Sequence, residues 1–162
     1  MLDSKLSEAI ELRRSGKGKE AHAALQELIA SRPDDPDVNY QMAWTCDSLG
    51  YESEAVPYYE KALSNGLSED RKGAFLGLGS TYRCLGSYEK SLRVLDNGLR
   101  EFPNDRALQT FYALTMYNLG EYRDSIARLL TLLLDTTSDP SIQSYDRALR
   151  FYSERLDEIF SG

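Results

Sequence analysis

Apolar residues recur along the chain at steps of three and four, in pairs of segments separated by a glycine. This spacing places apolar side chains on one face of an α-helix. The glycines, at Gly16, Gly50, Gly86 and Gly120, follow one another at intervals of 34 to 36 residues. Glycine commonly ends a helix, because it adopts a left-handed backbone without a steric penalty from Cβ. The pattern therefore predicts four antiparallel helix pairs of about 34 residues each.

Small residues stand at fixed distances on both sides of these glycines. Five positions after each glycine come Ala21, Ala55, Ser91 and Ser125. Seven positions before each glycine come Ala9, Ala43, Gly79 and Ala113. Small side chains at these positions allow the two helix backbones of a pair to approach each other closely.

The third unit matches a known repeat most fully. It contains Phe75-Leu76-Gly77-Leu78-Gly79-Ser80-Thr81-Tyr82, then Gly86-Ser87-Tyr88, and then Ser91, Leu95 and Pro103. This series resembles the tetratricopeptide repeat family, and the resemblance covers residues 2–139 as repeats 2–35, 36–69, 72–105 and 106–139. It implies an all-α, right-handed superhelical solenoid of antiparallel helix pairs, forming a single domain over 1–162. The first repeat departs from the pattern at Glu8 and Gly18, as a terminal repeat often does.

The chain after the fourth repeat predicts one more helix. Asp35-Pro36 and Asp139-Pro140 each combine an N-cap residue with a proline that suits the first helical position. After Pro140, an apolar stripe at helical spacing is formed by Ile142, Tyr145, Leu149, Tyr152, Leu156 and Ile159. We interpret 141–160 as a single capping helix that covers the open end of the solenoid.

Charge and composition exclude several classes of function. The formal net charge is −7, which argues against nucleic-acid binding, because neutralising phosphates requires a concentrated positive surface. The sequence has neither a secretory signal pattern nor an apolar run long enough to span a membrane. The two cysteines, Cys46 and Cys84, cannot form a disulfide framework and favour a reducing, cytoplasmic location.

Candidate chemistry is sparse. The stretch Ser15–Lys19 is a turn rather than a phosphate loop, since it lacks a preceding strand and a following Ser or Thr. The acidic residues at 34–37 are too close together for a calcium loop. His22 is predicted to be partly exposed and inert, and Cys46 to be a small buried hydrophobic residue. The sequence therefore predicts a non-enzymatic protein with no catalytic residues, cofactor or metal.

A partner-binding surface is the remaining candidate. In the family, the first helix of each repeat lines a concave groove, and the carried-over positions here are largely apolar and aromatic. The candidate partner-binding residues are Leu6, Ile10, Arg13, Tyr40, Trp44, Leu76, Arg83, Leu114 and Tyr117. A sizeable exposed apolar patch usually marks a binding site, and Trp and Tyr are typical anchors. One subgroup of the family binds the C-terminal tails of chaperones with a clamp of Lys, Asn and Arg. The corresponding positions of this sequence carry other residues.

Three functions remain open at this stage. The first is a module that binds a protein or peptide in the groove. The second is a self-associating subunit, a homodimer, that buries Leu2, Leu6 and Ile10 at one end and the aromatic residues of 145–160 at the other. The third is a small chaperone of the secretion or folding type, which small acidic proteins built of this repeat also resemble.

Overall fold

The computed structural model describes residues 4–161, and within that range the chain forms ten α-helices and no strand. The helices are α1 (Ser4–Arg14), α2 (Gly18–Ser31), α3 (Pro36–Ser48), α4 (Glu52–Ser64), α5 (Arg71–Cys84), α6 (Tyr88–Glu101), α7 (Arg106–Asn118), α8 (Tyr122–Thr136), α9 (Pro140–Gln143) and α10 (Asp146–Ser153). The predicted all-α class is confirmed. None of these helices is both long enough and apolar enough to cross a bilayer.

The first eight helices pack as four consecutive pairs. Each pair is joined by a short turn that contains one of the predicted glycines, and each helix also packs against the next pair. Gly50 and Gly86 have φ angles of 76° and 73°, in the left-handed region, which is why glycine ends the first helix of each pair. This arrangement of stacked pairs is a helical solenoid.

The core runs between the helices of neighbouring pairs. One apolar cluster extends from Leu6 to Tyr82, and a second surrounds Phe75, Leu95 and Leu108. The small residues permit this packing. A Cβ added at Gly79 would lie 2.5 Å from Cγ of Leu95, so a larger residue at position 79 would displace α6 from α5.

Acidic residues cap three of the helices, as their position before each helix indicates. The Asp35 carboxylate accepts hydrogen bonds from the backbone N–H groups of Asp37 and Val38 at the start of α3. Asp139 accepts from the backbone N–H of Ser141 at the start of α9, and Asp105 caps α7 in the same way. These bonds satisfy backbone donors that a helix leaves free in its first turn.

The prediction of one capping helix over 141–160 is wrong. The structure has the short α9, a turn at Ser144 and Tyr145, and then α10, which ends at Ser153. The Ser144 hydroxyl donates to the Ser141 carbonyl oxygen, and the Ser153 hydroxyl donates to the Arg150 carbonyl oxygen. A serine hydroxyl that bonds a nearby backbone carbonyl in this way competes with the backbone hydrogen bonds of the helix, which favours a helix end. At this end of the solenoid α10 packs against α8, and Asp157, beyond α10, accepts a hydrogen bond from Arg123 of α8.

Candidate functional site

The first helices of the four pairs form one continuous surface. Helix α3 contacts both α1 and α5, and α5 also contacts α7. We call the surface made by α1, α3, α5 and α7 the inner face. The sequence predicts that these four helices line a groove.

The structure distributes the nine predicted binding residues over very different environments. Leu6 and Tyr40 are buried, with 3% and 5% of their surface exposed. Half-buried positions are occupied by Ile10, Arg13, Leu76, Arg83 and Leu114. Trp44 and Tyr117 are exposed, at 45% and 55%. The inner face is therefore not the continuous apolar lining that the sequence indicated. Leu2, which the sequence places in a possible dimer contact, lies outside the described residues.

Tyr40, on α3, is buried because Gly73 of α5 leaves room for its ring. A Cβ at Gly73 would lie 2.5 Å from the Tyr40 hydroxyl oxygen, and a Cβ at Gly77 would lie 2.8 Å from Cε1 of Tyr59. The two tyrosine rings therefore occupy the space above two glycines of α5, with their centroids 6.2 Å apart. The burial of Tyr40 raises the pKa of its hydroxyl to about 12, so the ring remains neutral at physiological pH.

Trp44 and Arg13 form the most prominent feature of the inner face. The guanidinium carbon of Arg13, on α1, lies 3.7 Å from the centroid of the Trp44 ring, on α3. Nη2 of Arg13 donates a 2.8 Å hydrogen bond to Oε1 of Gln41. The Tyr40 ring is tilted against Trp44 at a centroid distance of 5.9 Å. Arg13 and Tyr40 thus fix the Trp44 ring while a large part of it remains exposed to solvent.

A partly buried carboxylate lies beneath this surface. Asp47 accepts a 2.8 Å hydrogen bond from the Tyr59 hydroxyl and bonds of 2.9 and 3.0 Å from the Thr81 hydroxyl. Burial raises the pKa of the Asp47 carboxyl, and the two hydroxyl donors partly oppose that shift. The network joins α3, α4 and α5, so it fixes the position of the second pair against the third.

One edge of the inner face is acidic. Burial raises the pKa of the Asp37 carboxyl, and repulsion from Asp35, Glu69 and Asp70 raises it further. Glu69 and Asp70 belong to the connection before α5, where Asp70 adopts a left-handed φ of 54°. We call Asp37, Glu69 and Asp70 the acidic rim. Its member Asp70 lies close enough to Tyr40 to raise the pKa of the Tyr40 hydroxyl.

Two other predicted residues, Arg83 and Tyr117, lie near the end of α7. Nε of Arg83 donates a 2.8 Å hydrogen bond to Oδ1 of Asn118. The Tyr117 ring packs edge-on against Tyr122 of α8, with centroids 5.0 Å apart. The structure therefore brings Arg13, Tyr40 and Trp44 together and places Arg83 and Tyr117 elsewhere.

Comparison with known proteins agrees with this geometry. The family model described as tetratricopeptide repeat matches residues 36–156, three quarters of the chain. The chain belongs to the tetratricopeptide repeat family. This family and fold are typical of non-enzymatic scaffolds, and they support a general role in protein–protein interaction.

Individual relatives are distant. Superkiller protein 3 of Saccharomyces cerevisiae is 26% identical over 92 residues, a match that covers 57% of this chain and only 6% of the yeast protein. MamA 41-end from Desulfovibrio magneticus RS-1 superposes with a TM-score of 0.74 at 18% identity, over 96% of this chain and 90% of that one. YrrB, a TPR protein with an unusual peptide-binding site, gives 0.73 at 16% identity, over 95% and 78%. Identities this low between the structures show the shared fold alone.

Proposed function

We propose that the inner face binds an extended segment of a partner protein, with an apolar side chain of that segment packed on Trp44. The supporting observation is the exposure of Trp44 at 45%, while Arg13 and Tyr40 hold its ring in one orientation. Exposed aromatic residues of this kind are the usual anchors of protein interfaces. A ring that is already ordered loses little conformational entropy when a partner covers it.

The charges around Trp44 favour a particular kind of segment. Asp70 of the acidic rim lies near Tyr40, which packs against Trp44, and the chain carries a formal net charge of −7. Basic residues that flank the apolar anchor would face this rim and accelerate association through long-range attraction. The proposed ligand is therefore an apolar residue flanked by Lys or Arg.

The proposal is tested with a peptide library of that design. Wild-type protein, Trp44→Ala and the control Tyr122→Ala are each screened for binding, because Tyr122 is an exposed aromatic residue of α8, away from the Arg13–Trp44 pair. We expect Trp44→Ala to weaken the selected peptides by more than about 1 kcal/mol, and Tyr122→Ala to leave them unchanged. Equal binding by all three folded proteins would place the binding surface on another face.

Self-association is a second candidate, supported by a separate observation. The rings of Phe151, Tyr152 and Phe160 contact one another, with centroid distances of 5.6 to 6.0 Å, and all three remain exposed. An exposed aromatic cluster at the end of a solenoid is a suitable surface for a two-fold contact. A dimer contact through the N-terminal helix has less support, because Leu6 is already buried within its own chain.

Sedimentation equilibrium over a range of concentrations distinguishes the two candidates. A dimer that Phe160→Ser dissociates would support self-association through this cluster. A mass that stays at the monomer value of 18.3 kDa would exclude it. The cytoplasmic location and the absence of nucleic-acid and membrane partners remain predictions, as does the chaperone alternative.

A further inference from the structure

A histidine, a cysteine and a glutamate from three helices meet on the side of α3 away from Trp44. His22 lies on α2, Cys46 on α3 and Glu54 on α4. One ligand atom of each residue lies within 4.8 Å of the other two, and Nε2 of His22 is 3.0 Å from Oε1 of Glu54. From the sequence, His22 is expected to be inert and Cys46 to be a core residue, so neither is predicted to share a site.

The packing of the first two pairs brings these side chains together. Ala21 and Ala55, next to His22 and Glu54 in the sequence, are fully buried. Their small side chains allow α2 and α4 to approach α3 from both sides. Cys46 forms the buried floor of the cluster, and the side chains of His22 and Glu54 are 15% and 45% exposed. An ion could therefore reach the cluster from solvent on the Glu54 side.

The distances are close to those of a tetrahedral zinc site. Zinc bond lengths of about 2.0–2.3 Å place nitrogen and oxygen ligands about 3.4 Å apart, and sulfur about 3.6 Å from either. The observed separations of 3.0 Å and at most 4.8 Å require changes of roughly 1.2 Å or less, within the reach of side-chain rotation. The chemistry of the three side chains also suits zinc, which accepts thiolate, imidazole and carboxylate ligands.

The local charge also suits a cation. Glu54 and Asp47 place negative charge close to the Cys46 sulfur. A divalent cation would supply the positive charge that this cluster lacks. On binding, the S–H bond breaks, the sulfur–metal bond forms, and the proton passes to solvent.

We propose that His22, Cys46 and Glu54 form a three-ligand site for zinc, with water as the fourth ligand. The bound ion would link the first helix pair to the second, because α2 belongs to one pair and α3 and α4 belong to the other. Since the native site would exist only in the folded chain, zinc should stabilise the protein.

Cobalt(II) titration of the metal-free full chain tests the proposal. Co²⁺ replaces zinc in such sites and gives a thiolate-to-metal charge-transfer band in the near ultraviolet, together with visible bands typical of tetrahedral coordination. We expect saturation at one Co²⁺ per chain and loss of both sets of bands when Zn²⁺ is added. Absence of the charge-transfer band at millimolar Co²⁺ would overturn the proposal.

Variants assign the ligands. Cys46→Ala should abolish the charge-transfer band, and the control Cys84→Ser should retain it, because Cys84 is the exposed second cysteine. His22→Gln and Glu54→Gln change partly exposed side chains, so they remain informative if Cys46→Ala fails to fold. Each should weaken Co²⁺ binding at least tenfold and reduce the increase in Tm that Zn²⁺ produces. Unchanged affinity in both would show that the cluster is only a His–Glu hydrogen bond beside a core cysteine.

Discussion

The guanidinium carbon of Arg13 lies 3.7 Å from the centroid of the Trp44 ring. The two residues come from different helix pairs, α1 and α3, so the contact links the first repeat to the second across the inner face. A guanidinium at this distance from an indole is attracted by the negative face of the ring. Arg13 thereby orders the side chain that we propose as the anchor for a partner.

Replacing Arg13 should weaken both folding and binding. We expect Arg13→Ala to lower the free energy of unfolding by about 0.5–1 kcal/mol through loss of the contact with Trp44. Affinity for peptides selected by the wild-type protein should fall as well, because the ring would then be ordered only on binding. Urea unfolding and calorimetric titration measure the two effects. Arg14→Ala, which changes the exposed neighbouring arginine, is the control and should alter neither.

Gly79 is predicted to be intolerant of a larger side chain. A Cβ at this position would lie 2.5 Å from Cγ of Leu95, so Gly79→Leu must displace α6 from α5. We expect a loss of about 1–3 kcal/mol in the free energy of unfolding. Ala23→Leu, at an exposed position of α2, serves as the matched control and should change stability by less than about 0.5 kcal/mol. A neutral Gly79→Leu would mean that α5 and α6 do not pack as described.

Asp47 should make stability depend on pH. Burial raises the pKa of its carboxyl above the ordinary value of 3.8, so the folded chain binds this proton more tightly than the unfolded chain. Ionised Asp47 therefore lowers stability at neutral pH, and this cost disappears as the pH falls from the raised folded pKa to the unfolded value. We expect wild-type stability, relative to that of Asp47→Asn, to increase across that window.

Urea unfolding at a series of pH values measures this difference. Asp124→Asn, at an exposed position of α8, is the control and should follow the wild-type pH profile closely. A wild-type protein that loses stability relative to Asp47→Asn as the pH falls would show that hydrogen bonds from Tyr59 and Thr81, rather than burial, dominate at Asp47.

The acidic rim should make partner binding sensitive to salt. Screening weakens the attraction between Asp37, Glu69 and Asp70 and a basic segment, so affinity should fall as ionic strength rises. Glu69→Gln should reduce the slope of that dependence, whereas Glu89→Gln, at an exposed position of α6, should leave it unchanged. Titrations at three or four salt concentrations measure the slope. Affinity that is independent of salt would remove the basic flank from the proposed ligand.

The repeat architecture could be predicted because its main requirements are local. A turn between antiparallel helices needs a left-handed residue, and glycine meets that need at Gly50 and Gly86 without help from the rest of the chain. The small residues that allow close packing also recur at fixed spacing, as Gly79 illustrates. Periodicity alone therefore indicates the helix pairs.

Periodicity did not predict how the final helix would end. The apolar stripe continues past Ser144 and Ser153, but each of these serines donates to a carbonyl oxygen three residues earlier. Such a bond depends on the conformation of the individual side chain, which the spacing of apolar residues does not report. The apolar stripe therefore runs over two short helices, α9 and α10, and the chain after Ser153, instead of over one long helix.

The exposure of the site residues could not be predicted either. Tyr40 occupies a groove position in the sequence pattern, yet it is buried because Gly73 of the next repeat leaves space for its ring. The contact between His22 and Glu54 could not be predicted, because these residues are 32 positions apart and meet only after two helix pairs have packed. In the sequence, only the lack of side chains at Gly73 and Gly77 indicated that the rings of Tyr40 and Tyr59 could pack there.

Trp44 provides the most direct test of the proposed binding surface, because it is the only tryptophan in the chain. Its fluorescence can be followed while a selected peptide that lacks tryptophan is titrated to saturation. If the peptide covers Trp44, quenching of its emission by acrylamide should fall severalfold and the emission should shift to shorter wavelength. Unchanged quenching at saturation would contradict the account, because the partner would then bind without covering Trp44.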